Sequence, residues 1–165
     1  VAQRSLSGDA PWNEFVATRL LDANLPDAQR VEALTYMIAS GQGPQMRSLL
    51  DAKAVEALAQ ILPRTLAALP GPSSPATPEA GSLTTLTSWV VGVNQPATVD
   101  LLTGVLNSTS DPSIRRMTVS GLARHRDDHR AQAALEEMAA HDIDPQLRDA
   151  AASALRPEAT PPPGK

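Results

Sequence analysis

The sequence contains no cysteine, which excludes a disulfide framework, a thiolate zinc site and a cysteine nucleophile. Aromatic residues are nearly as scarce, at 2%: Trp12, Phe15, Tyr36 and Trp89. A core must therefore come from Ala, Leu, Val, Ile and Met, which suits closely packed helices better than a β-sandwich. The same shortage removes the stacking platforms that single-strand nucleic-acid binders use. A cationic surplus is missing too. The formal charge is −4, whereas phosphate neutralisation needs an excess of Lys and Arg. No run approaches ~18 apolar residues, so no membrane insertion is expected. Val1 to Asp9 lacks a basic region followed by an apolar core, so no signal peptide is expected there. Composition leaves the compartment open.

What is present supports a packed core. The 165 residues are 42% hydrophobic and 19% charged, a single-domain length at roughly 100–200 residues per domain. Two stretches differ in composition. Residues 70–81 hold four prolines, which a helix interior rejects, and read as a Pro-rich insertion. Residues 157–165, Pro-Glu-Ala-Thr-Pro-Pro-Pro-Gly-Lys, read as a disordered tail. Elsewhere the pattern is helical. Val31, Leu34 and Ile38 recur at i, i+3, i+7 behind Asp27, a candidate cap. Val55, Leu58, Ile61, Leu62, Leu66 and Leu69 make a second stripe, which Pro63 is expected to bend or end. Trp12, Phe15, Val16, Leu20 and Leu21 predict an opening helix. Gly41 to Pro44 predicts a break, and Gln45–Leu50 a short helical piece.

Self-similarity is the most informative signal. A shift of 33 residues superposes Asp111-Pro112 on Asp144-Pro145, Ile114-Arg115 on Leu147-Arg148, and Leu122 on Leu155. It also lays Leu102 on Leu135 and Val105 on Met138, and one step back places Leu86 and Trp89 on Val119 and Leu122. The unit is an Asp-Pro cap and first turn, then an apolar stripe such as Ile114, Met117, Leu122. A polar turn follows, and a second helix over Thr98–Asn107 or Ala131–Ala140 completes it. Neither helix buries its stripe alone; stacked pairs do.

The runs Asp111-Pro-Ser-Ile-Arg-Arg-Met-Thr-Val-Ser-Gly-Leu-Ala and Asp144-Pro-Gln-Leu-Arg-Asp-Ala-Ala-Ala-Ser-Ala-Leu resemble HEAT repeats, closest to the short variety also found in phycobiliprotein lyases. The similarity covers about 82–156 and is weaker over 12–69, where Asp27-Ala-Gln-Arg30-Val-Glu-Ala-Leu has no Asp-Pro in register. Ankyrin's Thr-Pro-Leu-His motif is missing, as is the Trp, Leu-Gly and Tyr pattern of tetratricopeptide units. The resemblance implies an all-α fold: an α-α superhelix, a HEAT-like solenoid of antiparallel helix pairs with about 8–9 helices. A single solenoid domain over 1–156 is expected, with an irregular half at 12–69, the insertion at 70–81 and regular repeats at 82–156. It also implies a structural role for Arg115 and Arg148, bonding turn carboxylates or helix ends.

Candidate chemistry is thin. His125 and His129 have a metal-ligand spacing but straddle a corner with no third ligand nearby in sequence. Glu137, His141 and Asp142 could attract a cation by ligand type, yet His141 reads more simply as decoration of a helix C-terminus. The adjacent His-Glu pairs of a HEAT-like hydroxylase family do not occur. Arg115, Arg116, Arg124, Arg126 and Arg130 form the one basic cluster, the feature a HEAT-like DNA glycosylase family uses to grip phosphates. Residues 81–165 nevertheless carry eight Lys/Arg against ten Asp/Glu, a balance of −2, so no nucleic-acid partner is expected. Gly-x-Ser-x-Gly, Ser-x-x-Lys and Gly-rich phosphate loops are all missing. Asn107-Ser108-Thr109 matches a glycosylation sequon, but its polar residues read as a turn. Trp89 reads as core.

The expected function is therefore non-catalytic: an interaction or scaffold module binding a protein or peptide partner on its helical surface, with no cofactor and no metal. The expected contact is a concave ridge on the second helices of each pair, formed by Asp100, Thr103, Asn107, Glu136 and Glu137. It is acidic to neutral and favours a basic or polar segment. The alternatives are a HEAT-like lyase-type enzyme subunit, or an architectural domain of a larger protein. The chain is expected to be a monomer or part of a larger assembly.

Overall fold

A computed structural model of the chain describes residues 18–38, 52–68 and 78–156. Residues 18–20 end a helix, and seven more follow: α1 (Asp27–Met37), α2 (Ala52–Ala67), α3 (Pro78–Val90), α4 (Ala97–Ser108), α5 (Pro112–Arg124), α6 (His129–His141) and α7 (Pro145–Leu155). No strand occurs among the described residues. The expected helix at Gln45–Leu50, the break at Gly41 to Pro44, Trp12, Leu69 and the tail from Pro157 lie outside them.

The caps anticipated from Asp-Pro are built as expected. Asp111 accepts from the N–H groups of Ser113 and Ile114 at 2.8 and 3.1 Å, with Pro112 in the first turn of α5. Asp144 accepts from Gln146 N–H at 2.8 Å at the start of α7, and Asp128 from Arg130 N–H at 2.9 Å at the start of α6. Each bond satisfies a donor that the helix itself leaves unpaired, worth about 1 kcal/mol.

The helices form two layers. In one, α1 packs on α3, α3 on α5 and α5 on α7; in the other, α2 packs on α4 and α4 on α6, with α2–α4 the most extensive contact. Consecutive helices α4–α5, α5–α6 and α6–α7 cross between layers. This all-α arrangement is a helical solenoid. One buried apolar cluster runs from Leu20 to Ala151. Leu58 and Ile61 of α2, Leu86 of α3, Leu102 of α4, Leu122 of α5 and Leu135 of α6 are all fully buried within it. Burying each such side chain stabilises the fold by about 1.5–3 kcal/mol. Trp89 lies in this cluster, as its place in the stripe predicts.

Two features differ from expectation. Of the two outcomes expected at Pro63, an end to the helix does not occur, and α2 continues to Ala67. Continuing the helix past the proline keeps Leu66 in the core, and that burial offsets much of the ~3 kcal/mol that an interior proline costs. Helix α3 starts at Pro78, inside the stretch read as an insertion. Proline is tolerated there because the first turn needs no N–H donor.

Arginines tie the turns together. Arg30, near the start of α1, donates from Nε to the Leu20 carbonyl at 2.8 Å and with Nη2 to the same oxygen. Arg115 of α5 donates from Nη1 to the carbonyls of Leu106 and Thr109 at 2.8 and 3.2 Å. Arg148 of α7 donates to Asp142 O at 2.7 Å. All three close the orphaned carbonyl end of the preceding helix or its turn. Arg30 thus performs the motif's role even though its segment lacks Asp-Pro.

Candidate functional site

The expected ridge lies on α4 and α6, whose contact brings the two helices side by side in the second layer. Thr103 and Asn107 of α4 share an opening of about 290 Å³ with Ala134, Glu137, Met138 and His141 of α6. Leu106, Arg115 and Asp142 complete its lining. Asn107, Arg115, His141 and Asp142 also border a wider groove of about 770 Å³ at the corner edge, which continues along Ser108–Ser110, Pro112, Ile143, Asp144 and Leu147. The structure thus brings three of the five ridge residues, Thr103, Asn107 and Glu137, to one opening. Glu136 is exposed on α6 outside its lining.

Asp100 is exposed at the other end of the ridge, where it already holds a cation of this chain. Arg130 Nη1 donates to its two carboxylate oxygens at 2.8 and 2.7 Å, while Arg130 Nη2 donates to Asp128 Oδ2 at 2.7 Å. The side-chain bond from Arg130 holds the Asp128 carboxyl at a pKa of about 2. The Arg130 backbone N–H adds to that shift, which burial only partly opposes. In return the Asp128 bond raises the Arg130 guanidinium, against some desolvation and with help from Asp100. Asp100 therefore shares its cation with Asp128, and the two carboxylates keep one net negative charge between them.

At the opening itself, Glu137 Oε1 lies 3.2 Å from His141 Nδ1, one helical turn on. Both side chains are well exposed, so the pair contributes little to stability. Beneath them the Asp142 carboxylate is 4% exposed and ion-paired with Arg115 Nη2. Burial works to raise its pKa. The Asp144 N–H outweighs that together with the Arg115 bond and charge and the Arg148 charge, and the net shift is downward.

The other candidate groups fall where a structural role places them. His125 follows the last residue of α5 and His129 begins α6, so the two imidazoles do straddle a corner. Among the described residues no three His, Asp or Glu side chains converge as ion ligands would. The arginines of the basic cluster all make bonds within the chain. Beyond Arg115 and Arg130, Arg116 Nη2 donates to Gln146 Oε1 at 2.8 Å and Arg124 Nη1 to Val91 O at 3.5 Å, and Arg126 is engaged as well. In the sequon, Asn107 is exposed, Ser108 Oγ donates to Gly104 O at 2.7 Å, and Thr109 Oγ1 accepts from Asp111 N–H at 3.1 Å. The Ser108 bond lies within α4, whose last two residues are Asn107 and Ser108, so only Thr109 of the sequon belongs to the expected turn.

Ile143 borders the wider groove but does not stand out in the sequence, while Arg115, His141 and Asp142, weighed there for anion or cation chemistry, line the openings instead. The available signal was the 33-residue shift, which lays Asp142 on Thr109 and Ile143 on Ser110. Residues 79–156 match a protein-family profile described as HEAT repeats. No curated protein and no solved structure matches the chain.

Proposed function

With residues 79–156 supported as HEAT repeats, we propose that this chain is a non-catalytic interaction module that receives a protein or peptide partner along the ridge of α4 and α6. The observation that carries this reading is the shared opening of Thr103, Asn107 and Glu137, held between two rigid helices of one layer. A preformed surface of this kind spends little free energy on ordering itself when a segment lies on it. HEAT repeats are commonly protein-interaction scaffolds and in general non-enzymatic. The module is taken as one domain, in keeping with a single buried cluster from Leu20 to Ala151.

The five residues have different roles in this reading. Thr103 and Asn107 supply hydrogen-bonding groups at the floor and rim. Glu136 and Glu137 supply negative charge, and Asp100 acts through Arg130 as a structural end-stop. The test is a photo-crosslinking amino acid at Thr103 in the native host, with the adducts identified by mass spectrometry. A defined adduct that disappears with Glu136→Lys plus Glu137→Lys is expected. An adduct pattern unchanged by that charge reversal removes the ridge assignment.

A further inference from the structure

The two corners of the regular array serve as controls for each other. At the α4–α5 corner Thr109 Oγ1 accepts from Asp111 N–H, Asp111 caps α5, and Arg115 bonds the Thr109 carbonyl. At the α6–α7 corner Asp142 Oδ1 accepts from Asp144 N–H at 2.9 Å, Asp144 caps α7, and Arg148 bonds the Asp142 carbonyl. The bonding scheme is thus repeated at the 33-residue shift, with Asp142 standing in for Thr109 as the acceptor. One further difference has no part in that scheme. Where the first corner carries Ser110, the second carries Ile143, a residue 94% exposed. The corner folds with a serine there, so the isoleucine is not required by the turn, and leaving so large an apolar side chain in water forgoes the gain of burying it.

Ile143 also stands on the edge of the 770 Å³ groove, across from Pro112 and beside His141 and Asp144. Among the charges bordering the two joined openings, Arg115 and Asp142 cancel. Glu137 and Asp144 remain, and three carboxylates against one arginine leave the groove net negative. We propose that this corner groove docks a peptide segment carrying an aliphatic side chain close to a lysine or arginine. The aliphatic group packs on Ile143 and Pro112, and the cation reaches Glu137 or Asp144. The inference rests on the interaction-module reading but moves the anchor from the helical ridge to the corner edge. Charge complementarity selects this occupant: an acidic peptide or a nucleic acid meets an uncompensated negative groove.

The proposal is tested by titrating the ¹⁵N-labelled full chain with a short peptide of repeated Gly-Leu-Ser-Lys units. Two counterpart peptides are titrated alongside, one with every Lys replaced by Glu and one with every Leu replaced by Ser. Amide shifts concentrated in residues 107–112 and 137–147 are expected with the first peptide, at roughly tenfold higher affinity than with either counterpart. Ile143→Ser, which installs the residue of the sister corner, is expected to weaken binding about fivefold at an unchanged thermal midpoint. Glu137→Lys is expected to weaken it at least as much. Equal binding of the Glu peptide, or no shift with any peptide, overturns the proposal. So do shifts in these residues that depend on protein concentration alone, which would make a second copy the occupant. Shifts centred on Asp100, Thr103 and Glu136 also overturn it, while leaving the ridge reading intact.

Discussion

The ring of Pro63 fills the notch left by Gly104. A Cβ placed on Gly104 would lie 2.9 Å from Pro63 Cγ, with the Ala59 carbonyl oxygen at 3.8 Å. The most extensive helix contact of the fold, α2 against α4, thus closes over a residue pair in which one partner has no side chain and the other no N–H. Gly104→Ala gains up to ~1 kcal/mol of helix propensity but drives a methyl into a ring that cannot rotate away, at about 1–3 kcal/mol. Net destabilisation is expected as a lower denaturant midpoint at unchanged slope. The double change with Pro63→Ala should recover most of the loss, because the two residues are in contact and non-additive.

Thr98 carries the opposite kind of imperfection. It is 0% exposed, and its hydroxyl has no hydrogen-bond partner among the described residues. A buried hydroxyl without a partner loses its hydration and regains nothing. Thr98→Val keeps the branched shape and removes the polar atom, so it is expected to raise stability by about 1 kcal/mol. Thermal unfolding read by circular dichroism measures it, and a fall of similar size would show that the hydroxyl is satisfied after all.

Local chemistry made much of this fold legible in advance. The Asp-Pro caps at Asp111 and Asp144, the leucine stripes and the 33-residue spacing depend on neighbours within a few turns, and those neighbours are adjacent in the chain. What was not legible depends on partners in other helices. Helix α2 survives Pro63 because Leu66 must stay buried and Gly104 makes room. Asp100 looked available to a partner because the cation that holds it, Arg130, sits one repeat away at the start of the next second-layer helix. Ile143 could be found, since the repeat shift sets it against Ser110, but its exposure follows from the corner geometry.

Asp142 links stability to pH. Its folded pKa lies below the ordinary carboxylate value, since the Asp144 N–H and Arg115 together outweigh the effect of burial. A lowered carboxylate contributes stability above the unfolded pKa, near 3.9, and that contribution is lost as pH falls through the lower folded value. Asp128, held at about 2 by Arg130, acts in the same direction over the interval below pH 4. Asp142→Asn is therefore expected to flatten the acid limb of a stability–pH curve below pH 4, with a lower plateau at neutral pH. Arg115→Met leaves the nearly buried carboxylate without its cation and should cost about 2–4 kcal/mol at pH 7, shrinking as Asp142 protonates. Chemical denaturation at a series of pH values checks both, and a pH-independent cost of Arg115→Met would contradict the pairing.

Arg130 decides how much negative charge the ridge offers. Its guanidinium spans Asp100 and Asp128, joining the starts of α4 and α6, and also donates from Nη2 to the Pro96 carbonyl at 3.2 Å. The Asp100 side of this bridge is open to solvent, so its own contribution to stability is small. Arg130→Gln is expected to lower stability only slightly and to leave Asp100 unneutralised on the same face as Glu136 and Glu137. A basic segment bound along that face should then associate faster at low ionic strength, with the gain fading as salt rises towards 0.15 M and the screening length falls to about 8 Å. Stopped-flow association measured at two salt concentrations provides the readout. A salt dependence identical to that of the unaltered chain would mean that Asp100 lies away from the path of the partner, and that the ridge begins at Thr103.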